Sequence, residues 1–564
     1  MQVEPGHRFI GRQRELDALL AALERAVAGQ PAIALLTGEP GIGKTQLAQE
    51  FAAQAARREV LALWGRCPEQ PGAPPYWPWL QMIRRYLAAC DGAELAATLG
   101  SAATYIATLD PELRDRIADG TALPVEEIDS AKARFRLFDS LAGFWRRAAA
   151  RQPLLLLIDD LHLADAASLH LLEFVMAELG DSRMLLLGTY RDAEVGRQHP
   201  LSATLAELQR HLPVQRLLLG GFSPAESAQF VAESMGVASS ELTAMLYDKT
   251  GGHPLFLVEL TRDFQQNRGI SPTTQRLDMS RVPQGVREVI GTRLNRLTPA
   301  CVNVLHNAAV FGRTFRRDLL RRMLDDRPED DGRVALDEAQ AAGLIEARGE
   351  PESCQFSHAL VRDVLYDELP AVQRARLHRK IGEVLEECFA ADLTAYLSQL
   401  AYHYHAAGPC GDLAAAAKAI DYATRAAERA MAMQAYEEAS RQYLRACTAL
   451  SAGTAADAPR CRLLLGLGKA QNSAGDSTQA LATFSEAAAC ARRLGDASLL
   501  ASAAIGFGEA QWRLASDGER AVALIREALA LAEAAEATDG SERAALLTAL
   551  CQALLFANRP DEGE

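Results

Sequence analysis

Two short stretches of this 564-residue chain have residue types and spacing suited to phosphate chemistry. Gly38-Glu39-Pro40-Gly41-Ile42-Gly43-Lys44-Thr45 is a glycine, four residues, then Gly-Lys-Thr. Glycines in those places let successive backbone N–H groups turn inward around anionic oxygens, at the positive end of a following helix. The Lys44 ammonium would reach the β- and γ-phosphates of a nucleotide, and the Thr45 hydroxyl would ligate Mg²⁺. The second stretch, Leu154-Leu155-Leu156-Leu157-Ile158-Asp159-Asp160, is an apolar run ending in two carboxylates. Beside such a loop, Asp159 would hold the Mg²⁺ shell, directly or through water, and Asp160 would polarise the attacking water. Asp160 is one methylene shorter than the glutamate many fast ATPases place there, which points to slow, regulatory hydrolysis. Taken alone, the pair also reads as a helix N-cap after a strand. Arg191 follows a third apolar run and would lie at the same sheet edge, where it could contact the γ-phosphate or stand as a surface arginine. His162 and Asp165 read as structural, in roles such as capping. Tyr76-Trp77-Pro78-Trp79 reads as core packing rather than a base-stacking platform.

These groups need a frame that brings loops together. Leu16, Leu19, Leu20, Leu23 and Val27 recur at helical spacing, and the run Ala32 to Leu36 is of strand length. A helical stretch from Lys44 to about Arg57 follows the glycines, so the loop joins a strand to a helix. Leu154 to Ile158, Met184 to Thr189 and Val214 to Leu219 are further buried-strand candidates with helical segments between them. Short apolar strands alternating with helices predict a parallel sheet covered on both faces. Residues 68 to 150 read as mostly helical, broken by a turn at Pro71 to Trp79. Helices dominate from Pro224 to about Asn267, and residues 263–282 read as a polar, irregular linker. An α-rich block spans about 283 to 375, with a small β-hairpin near Gly343 to Phe356. Further on, Ala439, Ala480 and Ala521 lie at equal intervals, each followed four residues later by Tyr443, Phe484 or Ile525. A small residue and then a large apolar one, recurring in helix pairs, is how stacked hairpins interlock.

Composition limits the alternatives. Apolar residues make up 49% and charged residues 23%, an ordinary globular balance with material for several cores. The formal net charge of −14 argues against a surface that attracts nucleic acid throughout. The ten cysteines show no metal-ligand spacing and read as reduced thiols. The first residues lack an apolar leader core, and no run approaches the ~20 apolar residues of a membrane span, so the reading is cytosolic. No guanine-type Asn-Lys-x-Asp signature is present, which favours ATP over GTP.

The ordered set Phe9-Ile10-Gly11-Arg12 with Glu15-Leu16, the glycine loop, LLLLIDDLHLAD, LLLGTYRD and Gly252-His253-Pro254 resembles the signal-transduction ATPases with numerous domains. Within them it is similar to the large ATP-binding regulators of the LuxR family, especially in GRCPEQPGAPPYWPW and FSHALVRDVLYDEL. The resemblance implies an α/β P-loop NTPase with a helical lid over 1–270, a winged-helix domain over 283–375 and tetratricopeptide-like repeats over 376–564. It implies that Ile10 to Arg12 and the turn at Pro254 flank the adenine. His358 would touch the diphosphate of ADP and hold a resting state closed. The repeats would receive an unknown inducer or protein partner, and ATP would allow self-association. The resembling regulators end in a LuxR-type helix-turn-helix, whereas Glu564 falls inside a repeat. The expectation is a fragment or truncated homologue whose DNA-binding output is absent.

Two other functions compete with a nucleotide-switched signalling ATPase. One is DNA binding through the 283–375 block, where Arg313, Arg316, Arg317, Arg321 and Arg322 crowd together. Nearby acids, Asp318 and Asp325 to Asp331 among them, favour a solvated, charge-balanced face instead. The other is a repeat scaffold with a purely structural nucleotide.

Overall fold

The computed structural model describes residues 9–69, 72–90, 92–110, 113, 130–235, 240–266, 291, 294–324, 329–348, 353–357, 359–408, 412–451, 457–514, 518–534 and 540–562. The first unit is a five-stranded, wholly parallel sheet in the order β2-β3-β4-β1-β5. Its strands are β1 (Ala32–Thr37), β2 (Leu61–Arg66), β3 (Leu154–Asp159), β4 (Met184–Tyr190) and β5 (Val214–Leu218). Every residue of β1, β3 and β4 is buried, because helices cover both faces of a parallel sheet. Alternation sorts the side chains. Ile33, Leu35, Leu154, Leu156 and Ile158 enter one core with Trp79, Trp145 and Leu172. Ala34, Leu36, Leu155 and Leu157 enter the opposite core, with α1 (Gln13–Val27) and α2 (Lys44–Ala56).

The expected strands are all present, and β2 is an addition. It is one of the two sheet edges and is only partly buried, yet Val60 to Trp64 is an apolar run as long as that of β1, so its signal is legible in the sequence. Residues 263–266, expected as linker, are the last turn of the Pro254–Gln266 helix, and the rest of that expected linker lies outside the described residues.

A second unit combines helices Pro299–Phe311, Arg317–Met323, Glu329–Ala341 and Ala359–Glu368 with a three-stranded antiparallel sheet. Its strands are β6 (Thr314–Arg316), β7 (Ile345–Arg348) and β8 (Ser353–Phe356), in the order β6-β8-β7, so the expected hairpin is β7 with β8. From Ala371 onward the described chain is almost entirely helical hairpins. The equally spaced alanines are buried, and the large residues after them lock onto glycines of neighbouring helices. A Cβ at Gly466 would lie 2.6 Å from the Tyr443 ring, and one at Gly506 would lie 2.4 Å from the Phe484 ring. The small–large periodicity is therefore an interdigitation of close-packed helices. The core on one face of the parallel sheet continues without a break into helices as far as Ala470, while later repeats pack around a separate core. Among the described residues, no helix is long and apolar enough to cross a membrane.

Candidate functional site

The glycine loop connects β1 to α2, with Gly38, Gly41 and Gly43 at φ +143°, +78° and +100°. A Cβ on Gly38 would stand 2.7 Å from the Leu219 carbonyl oxygen, and one on Gly41 would stand 2.7 Å from Leu255 Cδ2. Lack of space requires glycine at both, whereas Gly43 is required by its backbone conformation alone. Lys44 begins α2, and its buried Nζ donates to the carbonyls of Gly38 (2.7 Å) and Glu39 (3.0 Å). Burial lowers the Lys44 pKa, with Asp160 and Asp159 opposing. A desolvated cation curled under a glycine loop at a helix N-terminus is a site for a phosphate chain.

The sheet order explains how the two motifs meet. β1 and β3 flank β4, so a hydroxyl at the end of β4 can bridge them. Thr189 Oγ1 donates to Asp159 Oδ1 (2.7 Å) and accepts from the Asp160 N–H (2.9 Å). Thr45 Oγ1 lies 3.1 Å from Asp159 Oδ1, across the β1–β3 gap. A hydroxyl and a carboxylate that close, beside a phosphate cradle, are the hard oxygen donors Mg²⁺ takes, so the residues present fit a Mg²⁺–nucleotide. Asp159 also accepts from Arg66 Nη2 at 2.9 Å. Asp160 sits in the left-handed region at φ 58°. Burial and the neighbouring Asp159 raise its pKa to about 6, with Arg191 and Arg313 opposing. A carboxylate in that range suits a proton acceptor near neutral pH.

Arg191 does reach this edge, but two carboxylates hold it: Nη1 donates to Glu194 (2.7 Å) and Nη2 to Glu69 (3.1 Å). A contact to a γ-phosphate would require it to leave at least one of them. Asp165 is a helix cap, accepting from the Ser168 N–H (2.9 Å) and hydroxyl (2.6 Å). His162 is no cap. It is buried in the turn after β3, with Nε2 3.4 Å from Glu194 Oε2, and burial lowers its pKa to about 4. Tyr76 and Trp79 are core residues, whereas Trp77 is half-buried. His358 lies outside the described residues.

On the far side of the loop, Arg12 Nη2 donates to the carbonyls of Ile42 (3.2 Å) and Gly220, and its backbone N–H donates to Glu226 (3.0 Å). The guanidinium stands 5.4 Å from the Phe222 ring centroid. The Phe222 N–H donates to the Gly252 carbonyl (2.7 Å), which brings the Gly252-His253-Pro254 turn against the segment after β5. Arg12, Phe222 and this turn thus gather at one mouth of the loop, with half-buried Ile10 two residues from Arg12.

Three residues at the site were not singled out from sequence as belonging to it. Thr189 is a hydroxyl at the end of an otherwise apolar strand, a readable signal. Arg66 closes the unforeseen strand β2, and its Nη1 donates to Gln355 of β8 at 3.2 Å. Arg313 was expected on a solvated face. Its Nη1 instead lies 3.5 Å from Glu69 and 4.0 Å from Asp160 Oδ2. That expectation is corrected for Arg313, because its position just before β6 turns it toward the parallel sheet. Arg316 is paired with Asp318 as a balanced face requires. Among the described residues, no cluster of three or more His, Cys, Asp or Glu side chains is arranged to hold a metal by itself.

Residues 8–187 match the family described as AAA ATPase domain. The chain is 26% identical over 400 residues to an uncharacterized protein of Rhizobium meliloti (strain 1021), across 67% of this chain and 37% of that protein. It therefore spans little more than a third of the length of that curated relative. Among solved structures it is similar to a signal transduction ATPase with numerous domains bearing a tetratricopeptide repeat sensor, from Pyrococcus horikoshii. That likeness has 15% identity and a TM-score of 0.46, covering 100% of this chain and 77% of the other. RuvB of Thermotoga maritima is similar at 15% identity and a TM-score of 0.27, over 64% of this chain and 97% of its own. The glycine loop, the carboxylate pair and the family match agree: this chain carries an AAA ATPase domain, followed by an antiparallel-sheet unit and a largely helical C-terminal region.

Proposed function

We propose that this chain is an ATP-binding signalling switch with slow hydrolysis, in which the antiparallel-sheet unit responds to the state of the nucleotide site. The observation that carries the proposal is the double engagement of Arg66, bonded at once to Asp159 and to Gln355. Nucleotide phosphates would occupy the loop from Gly38 to Thr45, and Mg²⁺ held by Thr45 and Asp159 would supply charge neutralisation. Asp160 would accept the proton of the attacking water. Arg66 and Arg313 cross from one unit to the other, so a change of charge at the carboxylates changes what holds the units together. ADP would favour the closed arrangement, and inducer with ATP would favour an open, self-associating one. A ligand can shift that equilibrium only by its differential affinity for the two states.

The antiparallel unit fits a winged-helix block in this scheme, and the hairpins fit tetratricopeptide-like sensor repeats. Resemblance to the LuxR-family regulators supports transcription as the output and the cytoplasm as its setting. The test uses the full chain. Gln355→Ala and Arg313→Ala should each raise the ADP off-rate and the ATP turnover, with Lys44→Ala as the variant that binds neither nucleotide. Off-rates and turnover equal to the parent in both cross-unit variants would overturn the switch.

A further inference from the structure

Glu69, three residues after β2, holds two guanidiniums on one carboxylate oxygen. Its Oε1 accepts from Arg191 Nη2 at 3.1 Å and lies 3.5 Å from Arg313 Nη1. One arginine directly follows β4 of the parallel sheet, and the other directly precedes β6 of the antiparallel unit. The side chains of Glu69, Arg191 and Arg313 are 20%, 18% and 22% exposed, so these pairs escape much of the screening that makes surface ion pairs weak. The cluster adjoins the phosphate site. Burial lowers the Lys44 pKa, with Asp160 opposing and Arg191 adding to it, so Arg191 is within electrostatic reach of the ammonium under the glycine loop. Arg313 Nη1 is 4.0 Å from Asp160 Oδ2. Glu69 is itself near enough to raise the Asp160 pKa, after burial and Asp159. The remaining acid, Glu194, is bound differently. It takes Arg191 Nη1 at 2.7 Å from only three residues away, so it can travel with the arginine, and it uses the other end of the fork.

We propose that Glu69 sets the preference of this site between ATP and ADP, by holding the Arg191 guanidinium that a γ-phosphate would otherwise claim. The inference rests on the ATP-switch reading above. A carboxylate and a phosphate both accept from the planar guanidinium donors, so Arg191 Nη2 can serve Glu69 or a terminal phosphate but not both fully. Binding ATP through Arg191 therefore surrenders one charge-assisted bond and brings the phosphate's charge toward a carboxylate. ADP has no third phosphate and is subject to neither effect. Arg313 steadies the Glu69 carboxylate from the antiparallel unit, and its withdrawal would let Glu69 turn aside. The discrimination between the nucleotides is thus tied to how the two units are docked.

The test is calorimetry of the full chain with Mg²⁺, comparing ADP with the non-hydrolysable β,γ-imido analogue of ATP. Glu69→Gln should raise the ratio of analogue to ADP affinity by roughly tenfold or more, the worth of a charge-assisted bond no longer surrendered. The change should come from tighter binding of the analogue. Glu194→Gln should move the ratio less, although it too removes a charge beside Arg191. In an Arg191→Gln background, adding Glu69→Gln should bring no gain, which separates competition for the guanidinium from simple repulsion through space. Glu69→Asp withdraws the carboxylate by one methylene and should give part of the gain, so it decides the matter if the glutamine variant fails to fold. An unmoved ratio, an equal gain for both nucleotides, or a gain that persists without Arg191 would overturn the proposal while leaving the nucleotide site in place. A parent chain that binds neither nucleotide would overturn the ATP-switch reading and this inference together.

Discussion

Replacing Arg66 with methionine should weaken the metal-free protein and at the same time tighten its hold on Mg²⁺. The Arg66 side chain is 23% exposed and the Asp159 side chain 1%, so their 2.9 Å bond is largely out of water. A hydrogen bond to a charged group contributes about 1.5–3 kcal/mol. The larger loss seen when a wholly buried ion pair is broken does not apply, because Thr189 at 2.7 Å and Thr45 at 3.1 Å still donate to Asp159. In the parent, a metal ion held by Asp159 would compete with Arg66 for the charge of the same carboxylate. Removing the guanidinium should return that roughly 1.5–3 kcal/mol to metal binding, or about 10- to 100-fold in affinity at 1.4 kcal/mol per decade. Methionine keeps much of the apolar stem, so packing changes little. The assay pairs melting in EDTA with a Mg²⁺ titration of ADP binding by calorimetry. A lower melting temperature in EDTA together with a lower Mg²⁺ requirement is the expected result. An unchanged or higher Mg²⁺ requirement would refute the assignment of Asp159 to the metal and of Arg66 as its competitor.

Asp160→Asn should bind Mg²⁺–ATP like the parent but lose turnover by at least ~10²-fold, the usual contribution of a positioned base; single-turnover hydrolysis at saturating ATP checks it, and parental rates would remove Asp160 from the chemistry. Gly252→Ala puts a Cβ 2.1 Å from the Phe222 carbonyl oxygen at φ +73°, so a loss of at least ~2 kcal/mol in stability and weakened nucleotide binding should appear in denaturant melts and calorimetry. The buried pair His378 and His403, with Nδ1 atoms 2.9 Å apart, should make the fold acid-sensitive. Burial lowers the His378 pKa to about 4, with Arg362 and Arg374 adding to it, and pushes His403 well down, while Tyr366 and Tyr402 face the pair. Because both folded values lie below the unfolded ~6.5, stability is full above that pH and is lost as pH falls toward 4, by up to roughly 3 kcal/mol for His378. Melts from pH 8 to 5 should show a shallower slope in His378→Gln, and an identical slope would exclude the pair as the cause.

Sequence alone settled the features whose physics is local. Gly38, Gly41 and Gly43 announce inward-turning backbone wherever they occur in that spacing, and an unbroken run such as Leu154 to Ile158 can only be buried on two sides. The repeat spacing of Ala439, Ala480 and Ala521 is likewise a property of each helix pair and its neighbour, so it survives transfer from periodicity to packing. Edge strand β2 carries the same local signal, the unbroken apolar run Val60 to Trp64, and only its place beside β3 needed the fold. The partners of Arg66 could not be read at all. Asp159 is 93 residues from it in sequence and Gln355 is 289, and no local preference encodes which surface one folded unit lays against another. The same holds for Arg313, whose neighbourhood in sequence is a charge-balanced stretch and whose neighbours in space are Glu69 and Asp160. Burial and counter-ions of this kind are set by which elements meet, and that is decided only when the chain folds.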